Sequence, residues 1–150
     1  MRHIEEYVLI EAPRPVAWGA FADLTCWADW NSVLTRVEPV GQDACLVAGS
    51  GFSCCLRPFA VPIPFAVRVE FVEPPVRLLW VADHWGVRGR HWYYFSEQGG
   101  GTRCESVEEL SGPTVTLAGP FFPLWRFREL TRRFLRDLKA EAEKRAAGVE

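Results

Sequence analysis

The stretch FFPLWRFRELTRRFLRDLKAEAEKRAA, residues 121–147, decides the fold. Leu124, Phe127, Leu130, Thr131, Phe134, Leu135, Leu138 and Ala142 recur at the helical period and form one apolar stripe. Arg128, Glu129, Arg132, Arg133, Arg136 and Glu143 fill the opposite face, which reads as a solvated surface. Pro120 and Pro123 stand where prolines are tolerated, at or before the first turn. A one-sided stripe of this length needs a broad apolar surface to lie on, and a sheet is the element that supplies one.

The segments upstream supply that sheet. Residues 3–12 read as a strand with Ile4, Val8 and Ile10 on one face. Pro13 and Pro15 then open a short amphipathic helix over about 14–23, and Thr25 is positioned to cap a second one carrying Trp27 and Trp30. From there the period changes. Leu34–Val40, Ala44–Ser53, Phe65–Glu73, Arg77–Asp83, Arg88–Ser96 and Thr102–Leu110 are all strand-like, separated mostly by turn residues. Phe65, Val67, Val69 and Phe71 alternate with Ala66, Arg68 and Glu70, and the glycine run 99–101 marks a hairpin. Short connections between consecutive strands predict an antiparallel meander. The class is α+β: about seven strands curved round a long C-terminal helix, with two short helices after the first strand. Residues 1–150 read as a single domain, without repeat or linker.

Composition narrows the function. The chain is 49% hydrophobic and 24% charged, with seven Trp and ten Phe, a globular balance unusually rich in rings. Rings fill a core or wall a cavity equally well. A formal charge of −2 argues against nucleic acid as the main partner, which needs a basic face. Cys26, Cys45, Cys54, Cys55 and Cys104 form no CxxC pair, and with an odd count and no secretory leader they predict reduced thiols and a cytoplasmic protein. His3, His84 and His91 lack ligand spacing, so neither a metal nor another cofactor is expected. The longest greasy run, Phe59–Val67, is broken by Pro62 and Pro64 and is too short for stable membrane insertion.

Three segments carry a family likeness. They are Ile10–Trp18 with Trp27–Asn31, then Pro75–Trp80, then Gly89-Arg-His91 through Gly101-Thr-Arg103 to Glu108-Glu-Leu-Ser-Gly112. Their order and spacing resemble the polyketide cyclase/dehydrase-like branch of the START and birch-pollen-allergen superfamily (SRPBCC). Leu110 stands where that family often has Phe, a change in packing more than in chemistry. The resemblance covers essentially the whole chain and implies the helix-grip fold with a ligand cavity. It implies no single reaction, because fold does not determine function.

Alternation assigns candidate residues. The odd face of Thr102–Leu110 carries Arg103, Glu105 and Glu109, so Thr102, Cys104, Ser106, Glu108 and Leu110 should look inward. Arg88 and Arg90 mark the outward set of the preceding strand, which turns His91, Tyr93 and Phe95 inward. His91 and Glu108 are then opposed or diagonal neighbours. They read as an acid/base pair, a structural hydrogen bond, or a polar anchor for a ligand. The remaining binding candidates are Trp27, Trp30, Phe52, Trp80, Tyr93, Ser106, Phe121 and Trp125. The expected partner is a small hydrophobic or aromatic molecule held between sheet and helix. The alternatives are a cyclase, dehydratase or isomerase using His91 and Glu108, or a lipid-handling or protein-interaction module using the apolar 59–65 loop. A homodimer through that loop or a sheet edge is compatible with the pattern.

Overall fold

A computed structural model describes residues 1–148. In chain order the elements are β1 (Arg2–Ile10), α1 (Arg14–Ala22), α2 (Trp27–Trp30), β2 (Leu34–Val40), β3 (Gly51–Leu56), β4 (Ile63–Glu73), β5 (Arg77–His84), β6 (Val87–Gln98), β7 (Gly101–Ser111), α3 (Pro113–Ala118) and α4 (Leu124–Gly148). The strands form one antiparallel sheet in the order β1-β7-β6-β5-β4-β3-β2. This is the helix-grip fold.

The topology explains the short helices. β1 and β2 follow one another in the chain yet occupy opposite edges of the sheet, so the connection between them must cross the sheet's whole width. α1 and α2 make that crossing and bury Ala17, Trp18, Ala20, Phe21 and Trp27 on the way. The cap between them differs from the sequence expectation. Asp23, not Thr25, is the acceptor: its carboxylate takes hydrogen bonds from the Thr25 amide at 3.0 Å and the Thr25 hydroxyl at 2.6 Å. A carboxylate is the stronger acceptor for exposed N–H groups at a helix entry. Asn31 then ends α2, accepting from the Val33 and Leu34 amides.

The stretch 44–53 is the other departure. A continuous strand was expected there, but β3 begins at Gly51. Residues 44–46 instead staple the end of α1, through Leu24 N–H to Ala44 O at 2.8 Å and Leu46 N–H to Ala22 O at 2.9 Å. Their backbone groups are satisfied by the helix end, so apolar Leu46 is buried without joining the sheet. The glycine hairpin behaves as read: Gly99 and Gly100 take φ of 58° and 83° between β6 and β7, a conformation that favours glycine.

α4 lies across the concave face with Leu130, Phe134, Leu135, Leu138 and Ala142 buried. Its polar flank is not simply solvated. Glu6 of β1 meets Arg132 at 3.0 Å, Lys139 donates to Leu9 O at 2.8 Å, and Glu143 accepts from the Glu11 amide at 2.8 Å. Asp137 accepts from the Ser32 amide and hydroxyl at 2.9 and 2.7 Å. These contacts set the helix's rotation, whereas burial of the stripe supplies most of the adhesion. Phe134 packs among Phe21, Trp27, Trp30 and Tyr93. Phe134→Ala is therefore expected to cost about 3–5 kcal/mol in urea unfolding, the range for a buried aromatic truncation. A loss near 1 kcal/mol would place the ring outside the load of the core.

Candidate functional site: a half-filled cavity under the long helix

The concave face is a stack of cross-strand rows, and side-chain size changes abruptly from one row to the next. Leu78, Tyr93 and Ser106 share one row; Val69, Trp80, His91 and Glu108 share the next. Over these rows Phe21 contacts Trp80 at 5.8 Å and Tyr93 at 4.8 Å between ring centroids, and Trp27 contacts Phe52 at 5.4 Å. That end is solidly packed. The following row is Val67, Ala82, Gly89 and Leu110. Ala82 and Gly89 sit side by side in its centre, and two small side chains cannot reach α4.

A cavity of about 250 Å³ fills the space they leave. Val67, Ala82, Gly89 and Leu110 form its floor, and Phe127, Leu130, Thr131 and Phe134 of α4 form its roof. Trp80, His91, Tyr93 and Glu108 close the deep end, while His84, Trp85, Val87 and Thr114 stand on one flank and Leu34, Leu56, Ile63 and Phe65 on another. The cavity separates the main hydrophobic core from a smaller cluster of Ile4, Leu110, Val115 and Phe122.

The deep wall is polar and internally connected. His91 is directly opposite Glu108 in the β6–β7 register and diagonal to Ser106. Its Nδ1 lies 3.2 Å from Glu108 Oε2, and its Nε2 lies 2.5 Å from Ser106 Oγ. The imidazole also stacks on Tyr93, ring centroids 4.2 Å apart and planes 15° from parallel. Ser106 is fully buried and does not line the cavity, so its hydroxyl serves the histidine. The Nε2 of His91 is thus hydrogen-bonded to Ser106 and its Nδ1 lies beside Glu108, while the ring and the carboxylate both border the open space. Burial pushes the Tyr93 phenol well above its ordinary value, and the nearby Glu108 and Cys104 add to the rise. Behind the wall, burial likewise raises the Cys104 thiol.

The other candidates distribute as follows. Trp80 and Tyr93 line the cavity. Trp27 and Phe52 are fully buried in the aromatic core and do not line it. Trp30 packs beside Trp27 and Phe134. Phe121 and Trp125 are 90% and 66% exposed and stand outside the lining, because they precede or open α4 on the side turned from its stripe. Trp125 meets Phe59 of the 57–62 loop instead. Sequence reasoning missed the residues that make the space, Ala82 and Gly89, and the flank residues His84 and Trp85. The two-residue turn between β5 and β6 fixes the register that aligns the two small residues, and that turn is the signal that could have found them. Trp85 and Gly86, both at positive φ, form the two-residue β5–β6 turn, and α3 is fastened to that turn by Thr114, which donates to Trp85 O.

The family described as polyketide cyclase / dehydrase and lipid transport matches residues 1–143. The chain belongs to that family. Curated proteins give no match. Among solved structures, TTHA0849 from Thermus thermophilus superposes with a TM-score of 0.81 at 13% identity, over 97% of this chain and 99% of that one. The family member also resembles Ara h 8.0201, with a TM-score of 0.70 at 8% identity and 98% of each chain covered. The di-domain ARO/CYC BexL of the BE-7585A biosynthetic pathway matches with a TM-score of 0.68 at 16% identity, over 97% of this chain and 50% of that one. At these identities the likenesses establish the fold. Among the described residues no group of His, Cys, Asp and Glu side chains forms a metal site, and no helix is long and apolar enough to cross a membrane.

The Tyr93 shift has a measurable consequence. A phenol held above its unfolded value binds its proton more tightly in the folded chain. The stability tied to it is whole below about pH 10 and is lost as pH rises towards the folded value. Alkaline unfolding of the wild type is expected to steepen above about pH 10, and Tyr93→Phe is expected to flatten that loss. Equal pH profiles in the two proteins would refute the burial of this hydroxyl.

Proposed function

We propose that the protein binds a small, largely apolar, ring-bearing molecule in the cavity between sheet and α4. The observation that carries this reading is the row of Ala82 and Gly89 set against a roof of Phe127, Leu130 and Phe134: space is left open in the middle of an otherwise well-packed core. An unfilled apolar volume forfeits dispersion contacts and lowers stability, so a cavity of this size favours occupation by a ligand. Membership of a family whose description couples polyketide chemistry and lipid transport supports the same reading. We also place the protein in the cytosol, on its odd count of five thiols.

A second reading is favoured by one specific contact. The 3.2 Å approach of His91 to Glu108 at the cavity's deep end suits an enzyme of the cyclase, dehydratase or isomerase kind. In that reading His91, held by Ser106 at Nε2, and Glu108 act as the acid/base pair at the cavity's deep end. The lipid-handling reading draws on Phe59 and Val61, which are exposed in the loop between β3 and β4.

Titration with N-phenyl-1-naphthylamine is expected to change Trp emission saturably, since Trp80 and Trp85 border the cavity. Ala82→Phe puts a ring into the floor and is expected to abolish that binding while the circular dichroism spectrum stays unchanged. Undiminished dye affinity in a folded Ala82→Phe protein would remove the cavity from the function. Native mass spectrometry of freshly purified protein would identify a copurifying ligand, and a turnover lost in Glu108→Gln would favour the enzyme.

A further inference from the structure

The polar groups round the cavity are unequal in a way that bears on what it accepts. Among the described residues that line it there is no Lys or Arg. Two of its hydroxyls have already committed their hydrogens to the backbone, Thr131 to Phe127 O at 3.0 Å and Thr114 to Trp85 O. His91 is hydrogen-bonded to Ser106 at Nε2, and its Nδ1 lies 3.2 Å from Glu108 Oε2. Tyr93, Trp80 and Trp85 line it as rings, and His84 stands on the flank, with ring Nε2 buried and unpartnered among the described residues. The one carboxylate in the lining is Glu108, and its one ion-pair partner among the described residues is His91.

The glycine floor leaves that carboxylate reachable. A Cβ on residue 89 would stand 3.5 Å from Glu108 Oε2 and 3.7 Å from Leu110 Cδ2. With no side chain there, the space over Gly89 runs directly up to the carboxylate. A flat ligand lying on Ala82 and Gly89 therefore brings its edge to Glu108.

We infer that the cavity selects an apolar molecule bearing a neutral hydroxyl, which donates to Glu108 over Gly89, and that it rejects carboxylates and other anions. The inference rests on the ligand-binding reading above. Three cases decide it. An apolar ligand with no donor strips water from the carboxylate and returns nothing, which weakens binding. An anion brings a like charge to within a few ångströms of Glu108 in a poorly solvating site, with no Lys or Arg in the lining to offset it, which is worse. A hydroxyl replaces the lost water with a charge-assisted hydrogen bond, the strong kind. The hydroxyl ligand is favoured over its capped ether by about tenfold on this argument.

Three probes of one ring system test it: 2-naphthol, 2-methoxynaphthalene and 2-naphthoate, each titrated by Trp emission and calorimetry at pH 8. The expected order is naphthol about tenfold tighter than the ether, with naphthoate weakest. Glu108→Gln keeps the shape and removes the charge, so naphthoate is expected to gain several-fold and the naphthol advantage to shrink. Naphthoate equal to or tighter than naphthol on the wild type overturns the inference even if the variant misfolds. So does an order that Glu108→Gln leaves unchanged. Indiscriminate binding of all three overturns the inference and leaves the ligand-binding reading standing, whereas binding of none overturns both.

Discussion

Two small residues side by side, Ala82 of β5 and Gly89 of β6, set the terms for everything on the concave face. Interiors pack densely because each unfilled volume forfeits dispersion energy. The two rows deeper obey that rule with Trp80, His91 and Tyr93 under Phe21 and Phe134. The row at Ala82 and Gly89 breaks it. α4 cannot tilt down to close the gap, because its other end rests on the aromatic core and its flank is tied to β1 and to the loop after α2. The helix is propped, and the cavity is what lies under the propped end.

The same division separates stability from function. Aromatic side chains at the packed end carry the adhesion, so the other end can remain open. The polar wall stands at the boundary between the two. His91, Glu108 and Ser106 come from adjacent strands in a register that the glycine hairpin maintains, and each polar atom they bury is met by another. A buried network is tolerated only when it is satisfied in this way. Its asymmetry matters more than its existence: Ser106 is sealed behind His91, and Glu108 faces the space. The histidine and the carboxylate therefore border the cavity side by side, with the serine hydroxyl behind them.

Much of this was legible before folding because it is periodic. The 3.6-residue stripe of α4 and the two-residue alternation of β6 and β7 assign each side chain a face by geometry alone. His91, Tyr93, Ser106 and Glu108 all point inward on that basis, and Leu34–Val40 and Arg77–Asp83 agree closely with β2 and β5. Local reasoning failed where a segment's hydrogen bonds go to a distant partner. Residues 44–46 have strand composition, yet the end of α1 takes their amides and carbonyls. Asp23 outcompetes Thr25 as a cap for a local reason, a better acceptor standing two residues upstream.

The rings mark the limit of the sequence most clearly. Composition shows that there are more of them than a single helix stripe needs, and it leaves open which wall a cavity and which fill the core. Trp27 and Phe52 fill the core, Trp80 and Tyr93 line the space, and Phe121 and Trp125 face outward. By itself the sequence determined most of the elements, though not α3 or the start of β3, and the inward faces of β6 and β7 that bring His91 beside Glu108, because those follow from local period and one short hairpin. Only the tertiary structure decided that α4 is held above Ala82 and Gly89, and that His91 and Glu108 share the wall of a cavity. Those are matters of contact between chain segments a hundred residues apart, which no local pattern encodes.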